Sequence, residues 1–365
     1  MIKFQNLFLL LLLLSCTSNK QRNKLELYSL AELEGGLSGL AIDASSDEEA
    51  LVFWSHTDRG PNASEIMVNG VMNRPFLKPE QHPYWIKFSV NTQTKEVKTI
   101  EKIDIPLSGL PNVAEDELPL DQFGKVISRD INGIDPEGIC IVGNTIWMSE
   151  EYRPSILKFD LSGKFLKRYV PKKSFTDEEL AQNPLKDSIV QVLPENFRDR
   201  RLNRGFEGIA CNEDKVFPIL QSPQKGENKM IVRLLEFDTQ TESVTREFFY
   251  PLSDKAEKIG DLFLKGDDFY VIEQNSETGP KSIHKIFRFQ LEDLDTHGFL
   301  KTELVRDLVK EGYDFADKVE GLAVLSNGNI VIVNDNDFGL TGQWDPQSGK
   351  AAIDKSKITI LGILK

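Results

Sequence analysis

Hydrophobic and polar positions along the chain repeat one phrase. In Asp135-Pro136-Glu137-Gly138-Ile139-Cys140-Ile141-Val142-Gly143-Asn144-Thr145-Ile146-Trp147-Met148-Ser149-Glu150-Glu151-Tyr152, acids precede a short apolar strand. A Gly-Asn turn, a second apolar strand and further acids follow. Phe206-Glu207-Gly208-Ile209-Ala210 and Val319-Glu320-Gly321-Leu322-Ala323 open two more copies. Degenerate copies begin at Gly36-Leu37-Ser38-Gly39-Leu40-Ala41 and Ile259-Gly260-Asp261-Leu262. Alternating runs bounded by polar turns extend each copy, as in 156–160 and 165–170 of the second unit.

Four-stranded antiparallel units in series predict an all-β fold, a β-propeller. The fifth unit lacks an outer strand, while residues 25–30 form a spare strand at the other end. The N-terminal strand is therefore expected to complete the last blade and close the ring. Five units are visible, and residues 60–133 have room for a diverged sixth; a β-sandwich with coincidental spacing is the alternative architecture. Residues 107–133 and 174–203 interrupt the pattern as insertions. The second reads as helical, with Thr176 as cap and Glu179 three residues on.

The first 24 residues change the picture of where the protein works. Lys3 and the apolar run Leu7–Leu14 form a secretory signal, too short to span a bilayer. Leu13-Leu14-Ser15-Cys16 has the form of a bacterial lipobox, which makes Cys16 the lipidation site. Residues 1–16 are then signal and lipobox, 17–24 a tether, and 25–365 the propeller. The expected location is the cell envelope, as a periplasm-facing lipoprotein of the outer membrane that touches the membrane only through its anchor. The net charge of -13 argues against a nucleic-acid partner, which needs clustered Lys and Arg. Cys140 and Cys211 either pair after export or serve as small buried hydrophobes.

Candidate chemistry follows from the blade geometry. The first strand of a blade lines the central channel, and its start meets the end of strand two at one rim. That brings together Glu137 with Glu150 and Glu151, Glu207 with Gln221, Asp261 with Glu273, and Glu320 with Asp335. Ser38 meets His56, Asp58 and Arg59. So many carboxylates need a cation or a raised pKa, and oxygen-only donors suit Ca²⁺. The expected metal set is Glu137, Glu150, Glu207, Asp261, Glu273, Glu320 and Asp335. Glu137, Glu207, Asp58 and Arg59 are the catalytic candidates. Arg153, Arg204 and His56 are candidates for binding a small anionic or ester substrate, since Arg grips phosphate or carboxylate in a fork. A metal would polarise the ester and activate water. No Gly-x-Ser-x-Gly elbow, Walker loop or Gly-x-Gly-x-x-Gly is present, and the four histidines do not cluster with cysteines as zinc ligands would.

At these residues the chain resembles the phytase-like domain family, "esterase-like activity of phytase". The matching phrases are residues 36–41, Thr57-Asp58-Arg59-Gly60-Pro61, 135–139, Ser149-Glu150-Glu151-Tyr152-Arg153-Pro154, 205–210 and 319–323. The resemblance spans about residues 33–340 and implies a propeller in an exported bacterial protein with phosphoester or ester hydrolase activity. The Arg-His-Gly motif of histidine acid phosphatases is lacking. Two further readings stay open: a non-catalytic ligand- or protein-binding propeller with a structural cation, and a sugar-lactone or similar metal hydrolase.

Overall fold

A computed structural model describes residues 25–365 apart from 34, 48, 69 and 114–116. The signal segment and Cys16 lie outside the described residues. In chain order, β1 (Leu25–Ser29) precedes β2 (Leu37–Ile42) and β3 (Ala50–Thr57). A small hairpin, β4 (Ile66–Val68) and β5 (Val71–Asn73), interrupts before β6 (Tyr84–Asn91) and β7 (Val97–Asp104). Next come β8 (Pro136–Val142), β9 (Thr145–Glu150), β10 (Ser155–Asp160) and β11 (Phe165–Pro171). The helix α1 (Asp177–Gln182) and β12 (Ile189–Leu193) follow. The next blade has β13 (Phe206–Cys211), β14 (Lys215–Leu220), β15 (Ile231–Asp238) and β16 (Ser243–Pro251). Then come β17 (Lys258–Lys265), β18 (Asp268–Gln274), β19 (His284–Phe289) and β20 (Glu303–Asp307). The last are β21 (Lys318–Val324), β22 (Ile330–Asp335), a hairpin of β23 (Leu340–Asp345) and β24 (Lys350–Ile353), and β25 (Ile360–Leu364).

These strands make five blades: β2-β3-β6-β7, β8 to β11 with β12 added in parallel, β13 to β16, β17 to β20, and β21-β22-β25-β1. The strand from the N-terminus pairs antiparallel with β25, Leu25 opposite Leu364 and Ser29 opposite Ile360. It closes the ring as the sequence predicts. There is no sixth blade among the described residues: 60–83 gives a hairpin and loops, and 107–133 is mostly irregular. The second insertion carries α1, where Thr176 and Glu179 form a reciprocal capping box, and also β12, which the pattern did not reveal. The hairpin of β23 and β24 was equally unseen. It reaches over the channel mouth, with Trp344 Nε1 donating to the Gln122 carbonyl and Ser64 N to that of Gly342.

Inner strands β2, β8, β13, β17 and β21 pack side by side around the channel. Each slips register by one residue against its own second strand, between Ser38 and Ala41, Pro136 and Gly138, Phe206 and Ile209, Ile259 and Asp261, and Val319 and Gly321. This is a β-bulge, which re-aims a side chain, and in blades 2, 3 and 5 the slip contains the Glu-Gly pair. The glycine permits close approach to the next blade. A Cβ on Gly138 would lie 2.8 Å from the Glu207 carbonyl oxygen, and one on Gly208 2.5 Å from Leu262 N. The repeated Glu-Gly therefore carries two demands, a carboxylate for the channel and no side chain against the neighbour.

Apolar faces fill the spaces between blades. Trp147 is 1% exposed and sits 6.0 Å from the Tyr169 ring and 6.3 Å from that of Phe237. Truncating such a residue to Ala costs about 3–5 kcal/mol. Cys140 and Cys211 are free thiols on the adjacent strands β8 and β13. No helix among the described residues is long and apolar enough to cross a membrane.

Candidate functional site

One mouth of the channel opens into a polar cleft of about 350 Å³. Asp58 and Arg59 reach it from the end of blade 1, and Asp135, Glu137 and Glu151 from blade 2. Arg204 and Gln221 come from blade 3, Lys258 from blade 4, and Lys318, Glu320 and Asp337 from blade 5. The rim acids of separate repeats thus meet at one place.

The densest part is Asp135, Glu137 and Glu151. One carboxylate oxygen of each lies within 4.8 Å of the others, and all three residues are buried. Glu207, 1% exposed, joins them through Gln221, whose Nε2 donates to Glu151 Oε1 (2.9 Å) and Glu207 Oε2 (2.5 Å). The other oxygen of Glu207 and the amide oxygen of Gln221 are buried without a hydrogen-bond partner. Burial removes water from these acids and their neighbours repel them, so both Glu137 and Glu207 are held well above the usual carboxylate range. Burial likewise lifts Glu151 to about 8 despite Arg204. It lifts Asp135 to about 6 against the pull of Arg59. Orphaned oxygens within a group of desolvated acids are what a hard cation would satisfy, so the residues present fit a divalent ion with oxygen ligands.

Cations frame the acids. Arg59 pairs with Glu117 at 2.8 Å and with Asp135 at 3.5 Å, and Tyr152 Oη accepts from it. Arg204 stands 3.7 Å from Glu151. Lys318 holds Asp335 and Asp337, each at 2.7 Å. Asp58 accepts the Gly60 N–H at 2.9 Å. Burial, then Asp335 and Asp135, hold its carboxyl well above the ordinary range. Asp337 and Phe338 have φ of 47° and 55°, a strained left-handed pair that turns Asp337 to the mouth and lays the Phe338 ring over Gly36.

Other expected site residues lie away from the cleft lining. Glu150 faces into blade 2, paired with Arg168 at 2.9 Å and accepting from Tyr152 N and Ser155 Oγ. Glu273 accepts from Tyr250 Oη at 2.7 Å and from Ser253. Asp261 accepts backbone N–H groups of Leu262 and Leu322, each at 2.7 Å, and so ties blade 4 to blade 5. The reason lies in sequence order: blade 4 reads Gly260-Asp261 where blades 2, 3 and 5 read Glu-Gly, so its acid emerges on the interblade face. His56 is sealed within blade 1; burial lowers its pKa to about 4, and Nδ1 faces the Thr57 carbonyl at 3.0 Å. Arg153 stacks 3.8 Å from the Phe175 ring and lines a neighbouring cleft beside the second insertion.

The site residues that the sequence reading did not bring to the rim are Asp135, Glu117, Lys258 and Lys318; Gln221 was expected beside Glu207 but given no role. Asp135 had a visible signal, because it stands two residues before the bulge residue, the position that Lys258 and Lys318 occupy in blades 4 and 5. Glu117 comes from the first insertion and had none.

A protein of Arthroderma benhamiae described as an uncharacterized secreted protein is 30% identical, with 41% of this chain and 33% of that protein covered. The match thus spans about a third of that relative's length. Among solved structures, similarity extends to an α-L-arabinofuranosidase from Clostridium thermocellum (10% identity, 81% of each chain, TM-score 0.40). It also extends to a gluconolactonase from Xanthomonas campestris (8% identity, 93% of this chain and 90% of that one, TM-score 0.35). The phrases that build the channel mouth fall within residues 33–338, and over that span the chain belongs to the Phytase-like family, described as "esterase-like activity of phytase".

Proposed function

We propose that the protein is an exported hydrolase that cleaves phosphoesters or esters at the channel mouth with the help of a divalent cation, Ca²⁺ first. The observation that carries this reading is the meeting of Asp135, Glu137 and Glu151 with the unpartnered Glu207 oxygen. Those four residues would hold the ion, with Glu320 facing them. When bound, the ion supplies positive charge that polarises an ester or phosphoryl oxygen. Arg59 fixes Asp135 through both its backbone N–H and its guanidinium. Glu207 would give Oε1 to the ion and, ionised in its presence, take the proton of the attacking water through Oε2, which Gln221 orients. Asp58, whose carboxyl burial holds well above the ordinary range, would give a proton to the leaving oxygen as the C–O or P–O bond breaks. Arg204 carries charge at the cleft edge for an anionic substrate. Export agrees with the signal segment and with the secreted relative, and anchoring through Cys16 is part of the same proposal.

One observation favours a second reading. The acids come from blades 2 and 3, bridged by Gln221, so a cation there could hold the blades without turnover. A panel of phosphoesters, carboxylic esters and lactones, assayed with and without chelator, separates the two. The first reading expects activity that chelator abolishes and Ca²⁺ restores; activity indifferent to chelator contradicts it. A melting temperature that falls with chelator, in a protein inert on the whole panel, selects the second.

A further inference from the structure

Cys140 and Cys211 take no part in the chemistry proposed above, yet the fold brings their thiols together. Cys140 lies on β8, three residues after Glu137, and Cys211 on β13, four residues after Glu207. The two inner strands pack side by side. A Cβ on Gly138 would lie 2.8 Å from Ile209 N, which sets residue 138 level with 208 and 209. Two residues further along, Cys140 draws level with Ala210 and Cys211. Cys211 Sγ donates to the carbonyl of Ile141, the residue after Cys140, at 3.5 Å. Both cysteines line one cavity of about 150 Å³ along the later halves of the inner strands, walled by Leu40, Ile139, Ile209 and Phe263. Burial, then the neighbouring Cys211 thiol, hold the Cys140 thiol well above its ordinary range.

This junction is under electrostatic load. Glu137 and Glu207 stand on the same two strands and repel each other when ionised. At the mouth, the Gln221 bridge ties blade 3 to blade 2, and Ser149 Oγ donates to the Glu207 carbonyl. At the level of the cysteines the crossing hydrogen bond comes from a thiol, a weak donor.

We propose that Cys140 and Cys211 close to a disulfide that staples blade 2 to blade 3. The proposal rests on the reading of the protein as exported, because disulfides persist in oxidising compartments, and not on its hydrolysing anything. The half-buried Cys211 meets the oxidant first. Its thiolate attacks a disulfide of the compartment, that of a thiol-exchange protein or of oxidised glutathione, and one donor thiol leaves. Cys140 then loses its proton to solvent, and its thiolate attacks the Cys211 sulfur and expels the second donor thiol. Two protein thiols are oxidised to one disulfide, and the donor disulfide is reduced to two thiols. The cysteines stand about 70 residues apart in sequence, a loop long enough for a large gain from restricting the unfolded chain.

The test incubates the full chain with reduced and oxidised glutathione, blocks the remaining thiols, digests without reductant and identifies linked peptides by mass. The expected product joins residues 140 and 211 and is lighter than the separate peptides by two hydrogen atoms. Melting temperatures of wild type and Cys211→Ser are then recorded in chelator, with and without reductant. The staple should raise that of wild type by about 5 °C or more. Cys211→Ser should melt near reduced wild type and ignore reductant. Two blocked, separate thiols after incubation overturn the proposal, as does pairing of either cysteine with Cys16. A crosslink that leaves the melting temperature unchanged overturns the staple. Cell fractionation separates this from the reading of export. A chain that closes the bond in glutathione but stays in the cytoplasm keeps the pairing and removes export. An exported chain whose two thiols stay free keeps export and removes the disulfide.

Discussion

Gln221 Nε2 donates to Glu151 at 2.9 Å and to Glu207 at 2.5 Å, one amide joining acids of two blades. Replacing it by Leu removes the donor and leaves both carboxylates desolvated. A loss of about 1–3 kcal/mol is expected in metal-free protein, read as a lower melting temperature. Gln221→Glu should lower metal-free stability too, by adding a like charge, but should tighten Ca²⁺ binding. Titration of both variants checks this.

The acid cluster also sets a pH dependence. In metal-free protein, Glu151 near about 8 and Asp135 near about 6 lie above the ordinary unfolded values of about 4. The folded chain then binds more protons than the unfolded chain, so stability is full below the unfolded values and falls as pH rises through about 6 to 8. Thermal melts in chelator should show a higher melting temperature near pH 5.5 than near pH 8.5, by this linkage. Saturating Ca²⁺ should shrink or reverse that difference, since the ion competes with protons for the same oxygens.

Glu150 supplies a contrast to its neighbour Glu151. Its ion pair with Arg168 is almost fully buried, with the side chains 0% and 2% exposed. Glu150→Ala should cost about 3–5 kcal/mol, because it strands a buried guanidinium. Ca²⁺ affinity of the surviving folded protein should change little. A large loss of affinity with little loss of stability would return Glu150 to the metal set.

Gly208 tests the interblade contact. A Cβ there would lie 2.5 Å from the backbone nitrogen of Leu262, an atom that cannot swing aside. Gly208→Ala should cost about 1–3 kcal/mol by overpacking. Gly226 has φ of 78° and open space around it, so Gly226→Ala should cost only the conformational penalty of about 1–2 kcal/mol. Denaturant midpoints of the two variants compare them directly.

The sequence made the blades legible because period-two alternation and the Glu-Gly phrase both survive in the primary pattern. Closure by the first strand followed from counting strands. The site was legible only to the level of the rim. Glu150 and Glu151 are adjacent, and alternation sends one into the blade and the other to the mouth, a choice that depends on where the bulge falls. Asp261 failed to join the cleft through a one-residue exchange with Gly260. Lys258 and Lys318 look alike in sequence, and only the register that pairs them with Gln274 and Asp335 separates them. Contributions from the insertions, such as Glu117, depend on loop paths that no periodicity encodes.

The proposed chemistry depends on a cation held at the channel mouth by Asp135, Glu137, Glu151 and Glu207. Its most direct test is calorimetric Ca²⁺ titration of chelator-treated protein near pH 8, comparing wild type with Glu137→Gln and Glu207→Gln. Wild type should bind one ion per chain, and each variant should bind it at least about tenfold more weakly, the scale of a lost charged ligand. No saturable binding by wild type, or binding that both substitutions leave unchanged, would contradict it.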